Sequence, residues 1–224
     1  MSVNQTTNGF FLHRASFSTK SLLLSFYTKD QGLIQLTSFT SSKPLALIPF
    51  ALYELEFLLN PKYPHGTLKK ASPVYPINQL DINPLALANR YFVCDVVYQT
   101  TSHKNKDEQG FNTLLEMMLD LGQRETYYSF PCFFLIHWMK SLGILPEPIQ
   151  KADTFDMQDG VLTFEGLQQP PAAVFVLNEL LNDRWNHDNR SLKETFDLLL
   201  QYLELHLPNV NVNKTRNIIH EIFH

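Results

Sequence analysis

Residues 53–59 read YELEFLL, with Tyr53, Leu55 and Phe57 alternating against Glu54 and Glu56. Successive side chains of an extended backbone point to opposite faces, so this period of two defines a half-buried strand with one apolar side. Four further runs, FFLHRASF, SLLLSFYT, GLIQLTSF and GTLKKASPVY, are rich in Phe, Leu, Ile, Tyr and Thr and are separated by turn-forming residues. Between the second and third of them, TKDQG reads as a hairpin loop in which Gly32 can take a positive φ.

Five short strands within residues 1–76 predict a small closed barrel of the five-stranded OB type, with a small sandwich as the alternative. Beyond SPVYPINQLDINP the period changes. Asn83 followed by Pro84 suits an N-cap and first turn, opening a helix through LALANRYFVCDVVYQT. FNTLLEMMLDLG predicts a helix with Gly122 at its C′ position, and YYSFPCFFLIHWMKSLG one that begins near Pro131 and stops at Gly143. TFDMQDGVLTFE reads as a short hairpin, about 154–165, turning at Asp159-Gly160. PPAAVFVLNELLNDRW starts another helix, and Ser191 with Glu194 has the spacing of a capping box ahead of TFDLLLQYLELHL. Pro208 ends that helix and Asn213 can cap the last one. The expectation is an α+β multidomain chain: a barrel over 1–76, then a mostly helical domain over 77–224 carrying the short hairpin.

The 44% hydrophobic fraction supplies a core and excludes a disordered chain. MSVNQTTNGFF lacks the basic and apolar regions of a signal peptide. The longest apolar stretch, LALIPFALYELEFLL, is too short and too charged to span a bilayer. Cys94 and Cys132 sit in apolar segments, which suits buried thiols in a reducing cytoplasm. Charge is uneven. Residues 1–76 hold seven basic and three acidic residues, +4, whereas residues 77–224 hold eleven and nineteen, −8. The first part is therefore the one more welcoming to a polyanion.

Residues 220–224 spell H-E-x-x-H, the spacing of a zinc-binding helix with a general base. A catalytic zinc needs a third protein ligand, and nothing follows His224. Ile218, Ile219, Ile222 and Phe223 instead make the stripe of an ordinary amphipathic helix. Nucleophile-elbow, P-loop and dinucleotide-binding patterns are missing, Asp156 and Asp159 read as turn formers, and His137 reads as a histidine satisfied within a helix. No catalytic residue, metal ligand or cofactor is assigned. The barrel part instead interleaves cations with rings, the two ingredients of single-strand binding. The DNA-binding candidates there are Arg14, Lys20, Lys29, Lys43, Lys69 and Lys70, and the base-stacking candidates are Phe11, Tyr27, Phe39 and Tyr63. The competing reading, that these rings are core and these lysines a solvated surface, fits the sequence equally well.

In their order and spacing, four stretches resemble the RecO family of bacterial DNA repair and recombination mediators, in its shorter, zinc-less form. They are FFLHRASFSTKSLLLSFYTKDQGLIQLTSF, FFLIHWMKSLGILPE, TFDMQDGVLTFE and LLLQYLELHLPNVNVNKTRNIIHEIF. The resemblance implies an OB barrel joined to a helical domain and no enzymatic turnover. It further implies binding of single- and double-stranded DNA, strand annealing, and help in loading recombinase onto protein-coated single strands. The implied protein partners are RecR and the single-strand-binding protein, with the chain monomeric alone, no membrane association, and a cytoplasmic, nucleoid-associated location when DNA is bound. Lys214 and Arg216 match basic positions of the family's terminal segment, and His220 and His224 fall on a structural helix. The chain departs from the family in lacking the four zinc-binding cysteines of many members. TSFTSSKP stands where a basic loop is usual, and the pI is about 6.0. Fewer phosphate contacts mean weaker, less salt-sensitive binding. The alternative is a protein-interaction adaptor with little direct DNA binding.

Overall fold

The computed structural model describes residues 3–39, 46–59, 63–75, 83–101, 106–122, 128–169 and 171–222. Two compact units divide the chain, Met1–Gly122 and Gln123–His224.

The first unit opens with β1 (Val3–Ser18), β2 (Ser21–Thr28), β3 (Gly32–Phe39), β4 (Leu52–Leu59) and β5 (Gly66–Pro73). They close on themselves in the order β1-β2-β3-β5-β4, with β4 returning to β1. Every ladder is antiparallel except β3–β5, which is parallel and confined to Leu36↔Gly66 and Thr37↔Thr67. That seam is tight: a Cβ on Gly66 would come within 2.7 Å of the Leu36 side chain. The alternation of β4 does what its period requires. Tyr53, Leu55 and Phe57 join Phe11, Leu24, Phe26, Ile34, Leu36 and Ala51 in the core, while Glu54 and Glu56 stay exposed. Each large side chain so buried contributes about 1.5–3 kcal/mol.

Three bulges interrupt the ladders. On β1, Phe11 faces Phe26 but His13 faces Ser25, leaving Leu12 extra, and Ser16 faces Leu22 but Ser18 faces Ser21, leaving Phe17 extra. On β5, Lys70 faces Glu56 but Leu68 faces Phe57, leaving Lys69 extra.

Among the described residues two helices follow in this unit, α1 (Pro84–Thr100) and α2 (Glu108–Leu121). Asn83 caps α1 by accepting from Leu85 N at 2.8 Å, as its place before Pro84 predicts. They pack on the barrel through Arg90, which donates to the Phe50 carbonyl (3.4 Å), Cys94 Sγ to the Phe11 carbonyl (3.4 Å), and the Phe10–Phe111 ring pair (5.1 Å). Gly122 ends α2 with a right-handed φ of −73°, so the left-handed cap expected there is not formed.

The second unit holds α3 (Phe130–Ser141), β6 (Thr154–Asp156), β7 (Val161–Thr163), α4 (Ala172–Leu181), α5 (Asn189–His206) and α6 (Asn213–Ile222). The hairpin turns at Gly160, φ +68°, and α3 stops at Gly143, φ +72°, both as expected. The expected capping box at Ser191 is replaced. Asp188 caps α5, accepting from both the Ser191 amide and hydroxyl, and Glu194 is drawn to Arg190 instead. Asn213 is the first residue of α6 rather than its cap, and the Asn211 side chain accepts from its amide. No described helix is long and apolar enough to cross a membrane.

Candidate nucleic-acid interface

Among the described residues of the first unit, the cations do not gather into one zone. Arg14 lies exposed on β1, and Lys20 is exposed in the β1–β2 turn. Lys29 is exposed in the β2–β3 turn, at the opposite end of β2. Eight strand residues separate those ends by about 26 Å. Lys69 and Lys70 are consecutive yet both face outward, because the extra residue resets the alternation; a regular strand would have turned one of them inward. Lys70 lies 3.7 Å from Glu56, an exposed pair worth about 0–1 kcal/mol that still offsets local charge. In the other unit Lys214 is exposed, whereas Arg216 donates twice to Asp197 Oδ1, at 3.0 and 2.7 Å. Lys43 lies outside the described residues.

Two of the four rings expected to stack on bases are core. Phe11 is 4% exposed and packs on Phe26, its partner on the adjacent strand β2, and Tyr27 is 1% exposed with its hydroxyl donating to Asp107 at 3.0 Å. Phe11 fills the barrel interior and Tyr27 is claimed by the start of α2, a sorting by face that composition could not make. Phe39 and Tyr63 do lie open, 72% and 67% exposed.

Around Tyr63 the fold builds something unread in the sequence. The bulge at Phe17 pushes that ring out of the β1 alternation, leaving it 54% exposed, and its edge meets the His65 ring at 5.8 Å and 84°. Together with Thr37, Leu58, Tyr63, Pro64 and Thr67 they line a cleft of about 380 Å³. Phe39 follows Thr37 by two residues on β3, so it shares that face. A second cleft, about 310 Å³, continues along β3 past Gln35 to Gln31, and Pro64 and His65 line both. The signal for His65 was present: Tyr63-Pro64-His65 places two rings in a turn, away from any core. Phe17 had none, because a bulge is a register event between strands.

The H-E-x-x-H motif is occupied structurally. His220 Nε2 lies 2.9 Å from Asp197 Oδ1, the oxygen that also takes Arg216, and His224 lies outside the described residues. Among the described residues no three His, Cys, Asp or Glu side chains are grouped to hold a metal ion. Burial pushes the Cys94 thiol up to about 12 and the Cys132 thiol higher still, so neither is a nucleophile at neutral pH.

No family model matches the chain. Curated relatives do. The DNA repair protein RecO of Phocaeicola vulgatus is 23% identical over 240 aligned positions, covering 98% of this chain and 99% of that one. The protein of the same name from Bacteroides fragilis is 22% identical over 242, with the same coverage. That of Actinobacillus pleuropneumoniae serotype 7 is 28% identical over 137 positions, 60% of this chain and 57% of its own. With end-to-end agreement in the first two cases, the chain is similar over its whole length to bacterial proteins named DNA repair protein RecO.

Proposed function

We propose that this protein is a non-enzymatic mediator of DNA repair and recombination. In this reading the barrel over 1–76 is an OB fold that holds single- and double-stranded DNA. The part over 77–224 engages RecR and the single-strand-binding protein, and the two together promote annealing and recombinase loading onto coated strands. The protein works in the cytoplasm, on the nucleoid when DNA is bound. The observation that carries the DNA-binding reading is the aromatic cleft beside Lys20, in the β1–β2 and β4–β5 region where OB folds take oligonucleotides. Cations scattered around the wall lower the repulsion between two strands without gripping either. Such loose contacts leave the strands free to slide into register.

Titration of a labelled single strand followed by fluorescence anisotropy tests this. Binding should weaken with salt on a shallow slope. Three or four phosphate contacts give a log–log slope of about −2 to −3 for a single strand. Absence of binding at tens of micromolar protein in about 50 mM salt defeats the DNA part of the reading. Reversing Lys69 and Lys70 to Glu should weaken binding uniformly across sequences and flatten the slope.

An adaptor with little DNA contact is the second reading, favoured by the neutralised Lys70 and Arg216. Capture of RecR or the single-strand-binding protein from nuclease-treated mixtures, by a protein that fails the titration, would select it.

A further inference from the structure

We infer that the Phe17–Tyr63–His65 cleft is a slot for one unpaired base, so that preference for single strands over duplex resides in this cleft and not in the lysines. The inference rests on the DNA-binding reading above.

The lining argues first. Among the described residues, the lining of Phe17, Thr37, Leu58, Tyr63, Pro64, His65 and Thr67 carries no Lys, Arg, Asp or Glu and offers an uncharged ring two exposed aromatic walls. The charges stand outside it. Lys20 follows Phe17 by three residues in the β1–β2 turn, and Lys69 follows Thr67 by two on β5. At the far end of the continuing cleft, Lys29 precedes Gln31 by two. A backbone held at such flanking cations would put its bases toward the groove. An uncharged aromatic peptide would fit the walls but would have no use for cations arranged outside them.

Hydrogen bonding argues next. The His65 ring lines both clefts. The Gln35 amide lines the adjoining cleft. Polar groups of that kind meet the edge of a base that Watson–Crick pairing has left free. In a duplex both faces of every base are stacked and the edge is paired, so no base can enter without being extruded at a cost of a few kcal/mol. The slot therefore adds affinity for single strands alone.

The test uses the full chain, anisotropy, and three probes: a homothymine strand, an abasic strand of equal length, and a blunt duplex. Phe17→Ala and Tyr63→Ala should each weaken homothymine binding roughly tenfold, the scale of one lost base–aromatic stack. Duplex binding should hold within about twofold, and Phe17→Tyr should keep the homothymine affinity. On the abasic strand the unaltered protein should already show the loss, and Phe17→Ala should add nothing. Both replaced side chains are more than half exposed, so unfolding is not expected, and denaturation midpoints verify it. Equal losses on duplex and single strand overturn the slot, as do unchanged homothymine binding by both variants or a full further loss on the abasic strand. If the unaltered protein binds no probe, the DNA reading itself fails and the slot falls with it.

Discussion

The two ends of β2 treat their aromatic side chains in opposite ways. At the β2–β3 turn, Tyr27 is buried and donates to Asp107, whose other oxygen accepts from Gly110 N at 2.8 Å. Around them Thr28 Oγ1 donates to the Gly32 carbonyl, Thr7 Oγ1 to Asp30 Oδ2 at 2.6 Å, and Gln31 Nε2 to Gln5 Oε1. This end is sealed. At the β1–β2 turn, Phe17 and Phe39 lie open, and Tyr63 joins Phe17 in the wall of a cleft. The difference shows that ring content alone says nothing about base stacking. What matters is whether a neighbouring element has claimed the ring, as α2 claims Tyr27.

The comparison can be broken most forcefully at the sealed end. Tyr27→Ala should cost about 3–5 kcal/mol of stability in chemical denaturation, through the cavity it leaves. Single-strand affinity per folded molecule should stay unchanged. Gly110→Ala comes next. Its Cβ would overlap the Asp107 carboxylate and the Tyr27 hydroxyl, so about 1–3 kcal/mol should be lost despite the better helix propensity of Ala.

Tyr27→Phe removes only the hydroxyl bond and should cost about 1 kcal/mol. It sharpens the contrast through pH. Burial, then the Asp107 charge and hydrogen bond, push the Tyr27 phenol far above its usual range. A group raised in this way favours folding fully below its unfolded pKa of about 10 and loses that contribution as pH climbs beyond it. Denaturation midpoints measured between about pH 9 and 11 should therefore fall less steeply in Tyr27→Phe; burial also raises Tyr53, so some slope should persist. The smallest effect belongs to the open end, where Phe17→Ala should change stability by less than about 0.5 kcal/mol. A loss as large as that of Tyr27→Ala would erase the distinction between the two ends.

Much of the architecture was readable before the fold was known. SLLLSFYT and GLIQLTSF coincide with β2 and β3, and the turn at Asp159-Gly160 forms as its residues demand. Asp156, read as a turn former, accepts from Gln158 N and Asp159 N, and His137 Nδ1 lies 2.9 Å from the Phe133 carbonyl of its own helix. The first half of β1 was not legible. VNQTTNG carries no apolar face, and it is a strand because its backbone pairs with β4 from Val3↔Leu59 onward. The candidate site fared worse. Exposure of Phe39 and Tyr63 against burial of Phe11 and Tyr27 depends on tertiary packing, and the cleft depends on a bulge and on a seam between strands distant in sequence. Asp197 was also unforeseen, and it occupies Arg216 and His220 together.

The bulges at Phe17 and Lys69 have a consequence for how such a wall can change over generations. Both residues are surplus to the pairing count, so excising either one restores strict alternation and leaves every inward-facing neighbour where it was. A shortening of one codon could thus strip a ring or a positive charge from the exterior while the lumen stays filled. The exterior here is written in insertions, and can be edited without re-threading the scaffold.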